Sequence, residues 1–326
     1  MSVTTEELRF RGKSVFLPTT NIAGRTVVAS GRLIKTAKLK DEEWLEGALV
    51  ADLDSFVEEL RRSGLHADIL TFPGALNTAA VVPGVKSEAD NVAVICTQDY
   101  KAWWDGLPQE ARKNTRRAAK KGIVIRAATL DDDLAKGIKA IYDETPLRQG
   151  RPFWHYGKDI ETIKRENSSY VERCQFIGAY FDGELVGFMK WVYVGDVARI
   201  MQILCLNAHQ DKRPMIALIA KAAQMCHEQR MRYLIYGKFT YGKKTDSSIT
   251  EFKRRLGFVQ LDFSRYYIPL TWRGHLALRT GLHGGLIVLL PRWLVESLLE
   301  KRSRWLNWVT TREQRLSAPA ADVETQ

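Results

Sequence analysis

The usual carriers of metal, nucleotide and serine-nucleophile chemistry are missing from this chain. It contains no HExxH, no P-loop, no GxGxxG and no GxSxG, so metalloprotease, Walker-type, dinucleotide-fold and nucleophile-elbow readings lose their sequence basis. Cysteine is scarce. Cys96, Cys174, Cys205 and Cys226 form no CxxC pair and sit in apolar or mixed runs. They read as reduced thiols of a cytosolic compartment, not as a disulfide framework. Cys205 and His209 stand close in sequence, but the stretch leaves a strand, so helical ligand geometry is not expected and no metal site is assigned. No run reaches the ~18–20 apolar residues of a spanning helix; GGLIVLL (284–290) is cut short by Pro291 and Arg292. The start, MSVTTEELRFRGK, lacks the apolar core of about 7–15 residues expected of a signal peptide.

What is present is an ordinary globular composition, 45% hydrophobic and 27% charged, which excludes disorder for most of the length. The formal charge is +11, which points to a partner that is anionic in part: nucleic acid, membrane phosphate or a phosphate-bearing co-substrate. The excess is concentrated. Residues 109–126 hold Arg112, Lys113, Arg116, Arg117, Lys120, Lys121 and Arg126 against Glu110 alone. This segment predicts a helix with a stripe of small residues (Ala111, Thr115, Ala118, Gly122), packed on the sheet, and a basic row on another face. The row has three open readings: nucleic-acid binding, contact with donor or substrate phosphates, or a solvated face.

The 326 residues suffice for two domains. Residues 1–100 read as an α/β half-domain of short strands with one clear helix, where Leu53, Phe56, Val57 and Leu60 recur at helical spacing before Gly64. After the basic helix come a strand (123–129) and a helix marked by Leu134, Ile138, Ile141 and Tyr142. FIGAYF, Asp182-Gly183, ELVGFMKWVYV, Gly195-Asp196 and VARIMQILCL spell a three-stranded antiparallel meander, because Asp-Gly suits a two-residue turn with both φ positive. A helix through Met215, Leu218, Ile219, Ala222 and Cys226 follows, then the strand LIYGKF. Ser248 and Glu251 predict a capping box, worth about 1 kcal/mol, on a helix burying Ile249, Phe252 and Leu256 and ended by Gly257. VQLDFSRYYIPL is read as a closing strand pair.

That order, ending in FKRRLGF (252–258), resembles the GNAT acyl-CoA N-acyltransferase fold, and more closely its FemAB-like branch. The branch is matched by the RxxxRRAxKxG pattern at 112–122 and by the R-x-G-x-P stretch at 148–152. The resemblance covers roughly 101–270. It implies an α/β (α+β) fold: a GNAT-like mixed central sheet with flanking helices, here preceded by the half-domain and followed by a helical extension (271–312) and a polar tail (313–326).

GNAT domains often carry a tyrosine four residues before the glycine of their last motif; Lys253 stands there. The resemblance implies a fixed cation holding charge on a tetrahedral intermediate, against the alternative of a solvated helix lysine beside Arg254 and Arg255. The family's pyrophosphate loop, Q/RxxGxG/A, aligns with QDKRPMIALI (210–219), where Arg213 and Met215 replace both glycines. That departure disfavours ordinary acetyl-CoA binding and shifts weight toward the FemAB-like branch, some of whose members use aminoacyl-tRNA donors. Donor contacts are expected at Arg116, Lys120, Leu206, Lys212, Arg213 and Tyr236. The loop ETPLRQGRPFWHYGK (144–158) offers Arg148 and Arg151 for oxyanions and Trp154 and Tyr156 for stacking; the alternative is aromatics plugging the core beneath. His155 is the general-base candidate by chemistry.

The expected function is transfer of an acyl or aminoacyl group, from an acyl-CoA or aminoacyl-tRNA co-substrate and without a permanently bound cofactor, to an amine of a polar or cell-envelope-precursor substrate. The rival is a non-catalytic module of the same fold binding RNA or an anionic membrane. Trp293, Trp305 and Trp308 lie beside Arg292, Lys301, Arg302 and Arg304 in the last stretch. This suits either peripheral contact with the inner face of a membrane or an extra helix pair packed on the domain. Oligomeric state leaves no mark on the sequence.

Overall fold

A computed structural model of the protein describes residues 2–10, 13–44, 52–76, 82–148, 151–241 and 247–285. The first part contains β1 (Thr4–Phe10), β2 (Lys13–Ile22), β3 (Arg25–Ser30), β4 (Thr36–Leu39), α1 (Leu53–Arg62), β5 (Ile69–Pro73) and β6 (Lys86–Cys96). Next come α2 (Tyr100–Gly106), α3 (Gln109–Lys120), β7 (Val124–Ala128), α4 (Asp132–Asp143), β8 (Leu147–Arg148), β9 (Arg151–Pro152) and α5 (Ile160–Asn167). The meander is β10 (Cys174–Phe181), β11 (Glu184–Val194) and β12 (Val197–Cys205), followed by α6 (Pro214–Glu228), β13 (Tyr233–Ile235), α7 (Ser248–Arg255), β14 (Val259–Pro269) and α8 (Trp272–Thr280).

Asp182 and Gly183 take φ values of 49° and 86° between β10 and β11, the turn the dipeptide predicts. β11 is buried on both faces along 186–192, because α4 covers one side of it and α6 the other. Its continuous apolar run follows from that double cover. In the first part, Asp52 accepts a hydrogen bond from the Ser55 amide and starts α1. Phe56, Val57 and Leu60 are then buried against the first strands, each contributing about 1.5–3 kcal/mol.

Three expectations change. The small stripe of α3 packs on α6, with Ala111 and Ala118 buried, and its basic residues face outward. The predicted closing strand pair is one strand, β14, bonded to β6 on one edge and to β5 on the other. β6 pairs it from Val259 to Tyr267 and β5 from Arg265 to Pro269, so the two ladders overlap and no turn interrupts the strand. The cap of α7 is Ser247, not Ser248: its hydroxyl oxygen accepts from the Thr250 amide at 3.2 Å, and Glu251 binds Arg254 and Arg255 instead. The one-residue shift turns Thr250 and Lys253 inward and leaves Ile249 37% exposed.

The described strands except β8 and β9 join one mixed sheet in the order β1-β2-β3-β4-β5-β14-β6-β13-β12-β11-β10-β7. Among the described residues no helix is long and apolar enough to cross a membrane. The stretch with Trp293, Trp305 and Trp308 and the polar tail lie outside the described residues.

Candidate active site

The sheet divides at one place. β12 and β13 run parallel and pair only at Val197–Tyr233, Ala198–Leu234 and Arg199–Ile235. Beyond that rung the chain leaves β12 and follows β6: the Tyr236 amide donates to the Ala93 carbonyl and the Ala93 amide to the Gly237 carbonyl, both at 2.9 Å. β12 bends as it departs, because Ile200 faces Trp191 and Gln202 faces Lys190, leaving Met201 as the extra residue of a bulge. A cavity of about 630 Å³ lies along the parting, lined by Arg199 and Met201 on one side and by Tyr236, Gly237 and Lys253 on the other.

Lys253 is only 1% exposed, which removes the solvated-lysine alternative. Its ammonium donates to the carbonyls of Tyr236 (2.7 Å) and Lys238 (2.5 Å) and lies 4.6 Å from the centre of the Tyr236 ring. Carbonyl dipoles and a π face, without a carboxylate partner among the described residues, compensate the charge only in part. Burial therefore pulls the Lys253 pKa down to about 8. Burial likewise pushes the Tyr236 phenol up to about 12, so it stays protonated.

The facing wall joins two carboxylates from the first hundred residues, Glu42 and Asp90, to two later cations. Arg265 on β14 binds Glu42 at 2.8 Å and Asp90 at 3.2 Å, and Lys238 binds Asp90 at 2.6 Å. Burial raises the Asp90 carboxyl, but hydrogen bonds from Lys238, the Asn91 amide and Arg265 outweigh it and leave the group below its ordinary range. This wall is neutralised within itself.

The 144–158 loop stands apart from Lys253. Trp154 and His155 line a second cavity of about 630 Å³ with Tyr142, Glu166 and Gln202; only Met201 is common to both cavities. His155 is buried, with Nε2 3.1 Å from the Gln202 amide nitrogen and its ring 4.1 Å from that of Tyr142. The Lys158 ammonium sits over the Trp154 ring at 3.8 Å and binds Glu166 at 2.6 Å. Arg148 donates to the Cys205 carbonyl and so ties the loop to the end of β12. Tyr156 is 48% exposed; the side chain of Arg151 is outside the description.

Of the expected donor contacts, Tyr236 lines the Lys253 cavity, whereas Arg116 and Lys120 are exposed on α3. The Leu206 amide donates to the Val186 carbonyl at 2.9 Å. Lys212 lies 4.6 Å over the Phe181 ring. Arg213 has φ 61° and no side-chain cap bond, and Pro214 begins α6. The left-handed turn that glycine would make is thus present, while proline removes an amide from the helix start, where a phosphate would seek one. Among the described residues no group of His, Cys, Asp and Glu is placed to hold a metal. Sequence reading missed Arg199, whose signal was an arginine at an inward strand position within VARIMQILC.

A three-stranded meander, a helix, a parallel strand that parts from the meander, a helix and a final strand make this fold GNAT-like. The chain is similar to FemX (10% identity, TM-score 0.59, covering 85% of this chain and 90% of that one). It is also similar to a domain described as the C-terminal part of a lysylphosphatidylglycerol synthetase from Agrobacterium fabrum (13%, 0.50, 78% and 83%). A Bacteroides thetaiotaomicron protein of unknown function matches at 11% identity and TM-score 0.51, over 78% and 86% of the two chains. No protein-family model and no curated protein matches the sequence.

Proposed function

We propose that the protein is an N-acyltransferase that moves an acyl or aminoacyl group from a thioester or a tRNA ester to an amine. The observation that carries this reading is the Lys253 ammonium, buried and fixed by two carbonyls where β12 and β13 part. In the proposed reaction the acceptor's neutral amine attacks the carbonyl carbon, and its electron pair forms the new C–N bond. The carbonyl electrons move to oxygen, and Lys253 stabilises that oxyanion. Collapse expels the thiolate or ribose oxygen, which takes up the proton the amine releases. Lys253 stays a donor throughout and forms no covalent bond. Residues 101–270 supply this chemistry in the proposal, and residues 1–100 supply the facing wall with Glu42 and Asp90.

The donor favoured is the aminoacyl-tRNA ester, because Pro214 removes an amide that a pyrophosphate would seek at the start of α6. The acceptor proposed is an amine on a polar small molecule or cell-envelope precursor. The FemX relative and the synthetase named for a lysyl-lipid product agree with that direction in kind. The test is single-turnover transfer from labelled aminoacyl-tRNA or acetyl-CoA to hydroxylamine, with wild-type protein and Lys253→Ala. Wild-type turnover that survives the substitution at full rate would remove Lys253 from the mechanism.

A second reading, a non-catalytic binder of phosphate-rich partners, draws on the same blocked helix start and on the outward basic face of α3. Thermal-shift measurements with acyl-CoA, bulk tRNA and phosphatidylglycerol vesicles separate the two. Stabilisation by RNA or vesicles without consumption of any donor favours the second.

A further inference from the structure

Arg199 occupies the last rung before the sheet divides, opposite Ile235 on β13 and Val192 on β11. Both neighbours are at most 1% exposed. Residues opposite each other across a ladder share a face, so a guanidinium with five N–H donors stands in a row of aliphatic side chains. Its Nε is buried with no hydrogen-bond partner, and among the described residues no carboxylate pairs with it. Burial lowers its pKa against the opposing pull of Glu43 and Glu42.

Buried polar groups are satisfied as a rule, and buried charges are paired. The carboxylates lining the cavity do not supply the missing partner. Glu42 and Asp90 are engaged by Arg265, Asp90 also by Lys238, and Asp196 by Arg232 at 2.7 Å. Glu43 is exposed. Arg199 and Lys253 are thus two cavity cations with no carboxylate in ion-pair contact among the described residues; Glu43 and Glu42 act on Arg199 only from beyond that range.

We propose that Arg199 is the anchor for an oxyanion, a carboxylate or phosphate, carried by a substrate that occupies the Lys253 cavity. The planar guanidinium fork offers two parallel N–H groups that match such an anion. Its aliphatic surroundings limit water and so strengthen the pairing. An anion there is held at the neck of the parting, so it fixes one end of the substrate relative to the reacting carbonyl. The inference rests on the transferase reading for calling the occupant a substrate; anion capture stands by itself.

Calorimetry and thermal melts of the full-length protein test it with inorganic phosphate, pyrophosphate and acetate as probes, at constant ionic strength in chloride. One saturable site per chain is expected for at least one probe. Arg199→Met should weaken it about tenfold or more, the scale for truncating one partner of a charge pair. The same variant should melt no lower than wild type without probe, because a methionine suits the aliphatic row better than an unpaired cation. Arg279→Gln, exposed on α8, should bind as wild type does. Stronger binding of the phosphates assigns a phosphate-bearing occupant; stronger binding of acetate assigns a carboxylate. Undiminished binding by Arg199→Met overturns the proposal, as does absence of saturable binding for every probe. A lowered melting temperature without any probe effect would show a purely structural arginine. If Arg199 binds anions while Lys253→Ala leaves turnover intact, the transferase mechanism fails and the anion site remains.

Discussion

Lys253 and Tyr236 meet twice: the ammonium donates to the Tyr236 carbonyl at 2.7 Å and lies 4.6 Å from the centre of the same residue's ring. Tyr236 is the first residue past the last β12–β13 rung. The contact therefore anchors the cation to the point where the strands separate, and the chemistry expected of it follows from that placement.

Activity should depend on Lys253 as a cation. With a pKa of about 8, the charged form predominates at neutral pH and is lost as pH rises through 8. Transfer should decline over that interval, apart from the opposite effect of acceptor deprotonation. Lys253→Met should lower the single-turnover rate by about 10²–10³, the scale for losing one oxyanion donor. A rate–pH profile with an acceptor already neutral at pH 7, such as hydroxylamine, checks both. A rise through pH 8 would assign Lys253 as a base instead.

The same residue should give stability a slope against pH. Its folded pKa of about 8 lies below the ordinary 10.5, so between these values the unfolded chain binds more protons than the folded one. Stability from this group is complete above 10.5 and is lost as pH falls through 8. Urea denaturation at several values from pH 7.5 to 10, with Lys253→Met as reference, should show the wild type gaining relative stability as pH rises.

Gly274→Ala should undock α8. A methyl group there would stand 1.9 Å from the Asp68 carbonyl oxygen. That backbone is held by the Leu270 amide at 2.8 Å, and the Asp68 carboxylate binds Thr271 and the Lys35 amide. Overpacking against fixed backbone costs about 1–3 kcal/mol or more, read as a lower melting temperature. Gly183→Ala, with open space around it and φ 86°, should cost only about 1–2 kcal/mol of left-handed strain.

Asp90→Asn should destabilise the facing wall. The substitution leaves Lys238 without its ion pair and Arg265 with Glu42 alone, a loss of about 1–3 kcal/mol. Because the Asp90 carboxyl is held below its ordinary 3.8, its contribution is full above that value and disappears as pH falls through the lowered one. Acid denaturation of Asp90→Asn should therefore begin at a higher pH than that of the wild type, and the wild-type–variant difference should shrink toward strongly acid pH.

Local signals carried the meander: Asp182-Gly183 sets its turn, and the apolar runs on either side have nowhere to go but a doubly covered sheet. The same kind of reasoning left Lys253 open, because a lysine among arginines is a surface pattern until Tyr236 and Lys238 bring their carbonyls to it from another element. Ser247 and Ser248 offer the same hydroxyl one residue apart, and only packing of Thr250 and Lys253 against the sheet chooses between them. α2 and α5 carry no Ser/Thr-x-x-Glu pattern of the kind that marked the equally short α7. The isolation of Arg199 was illegible because it depends on which carboxylates across the cavity are already engaged.

At Arg265, Tyr266 and Tyr267, β14 is paired along both edges, to β5 on one side and β6 on the other. These residues emerge from the ribosome long after the strands they join. A growing chain that has completed β6 therefore has two strands whose facing edges await a partner more than 160 residues downstream, open to mispairing for that interval. Folding of the first hundred residues is thus tied to completion of the chain through β14, which makes early termination before that strand a route to aggregation, not to a smaller folded protein.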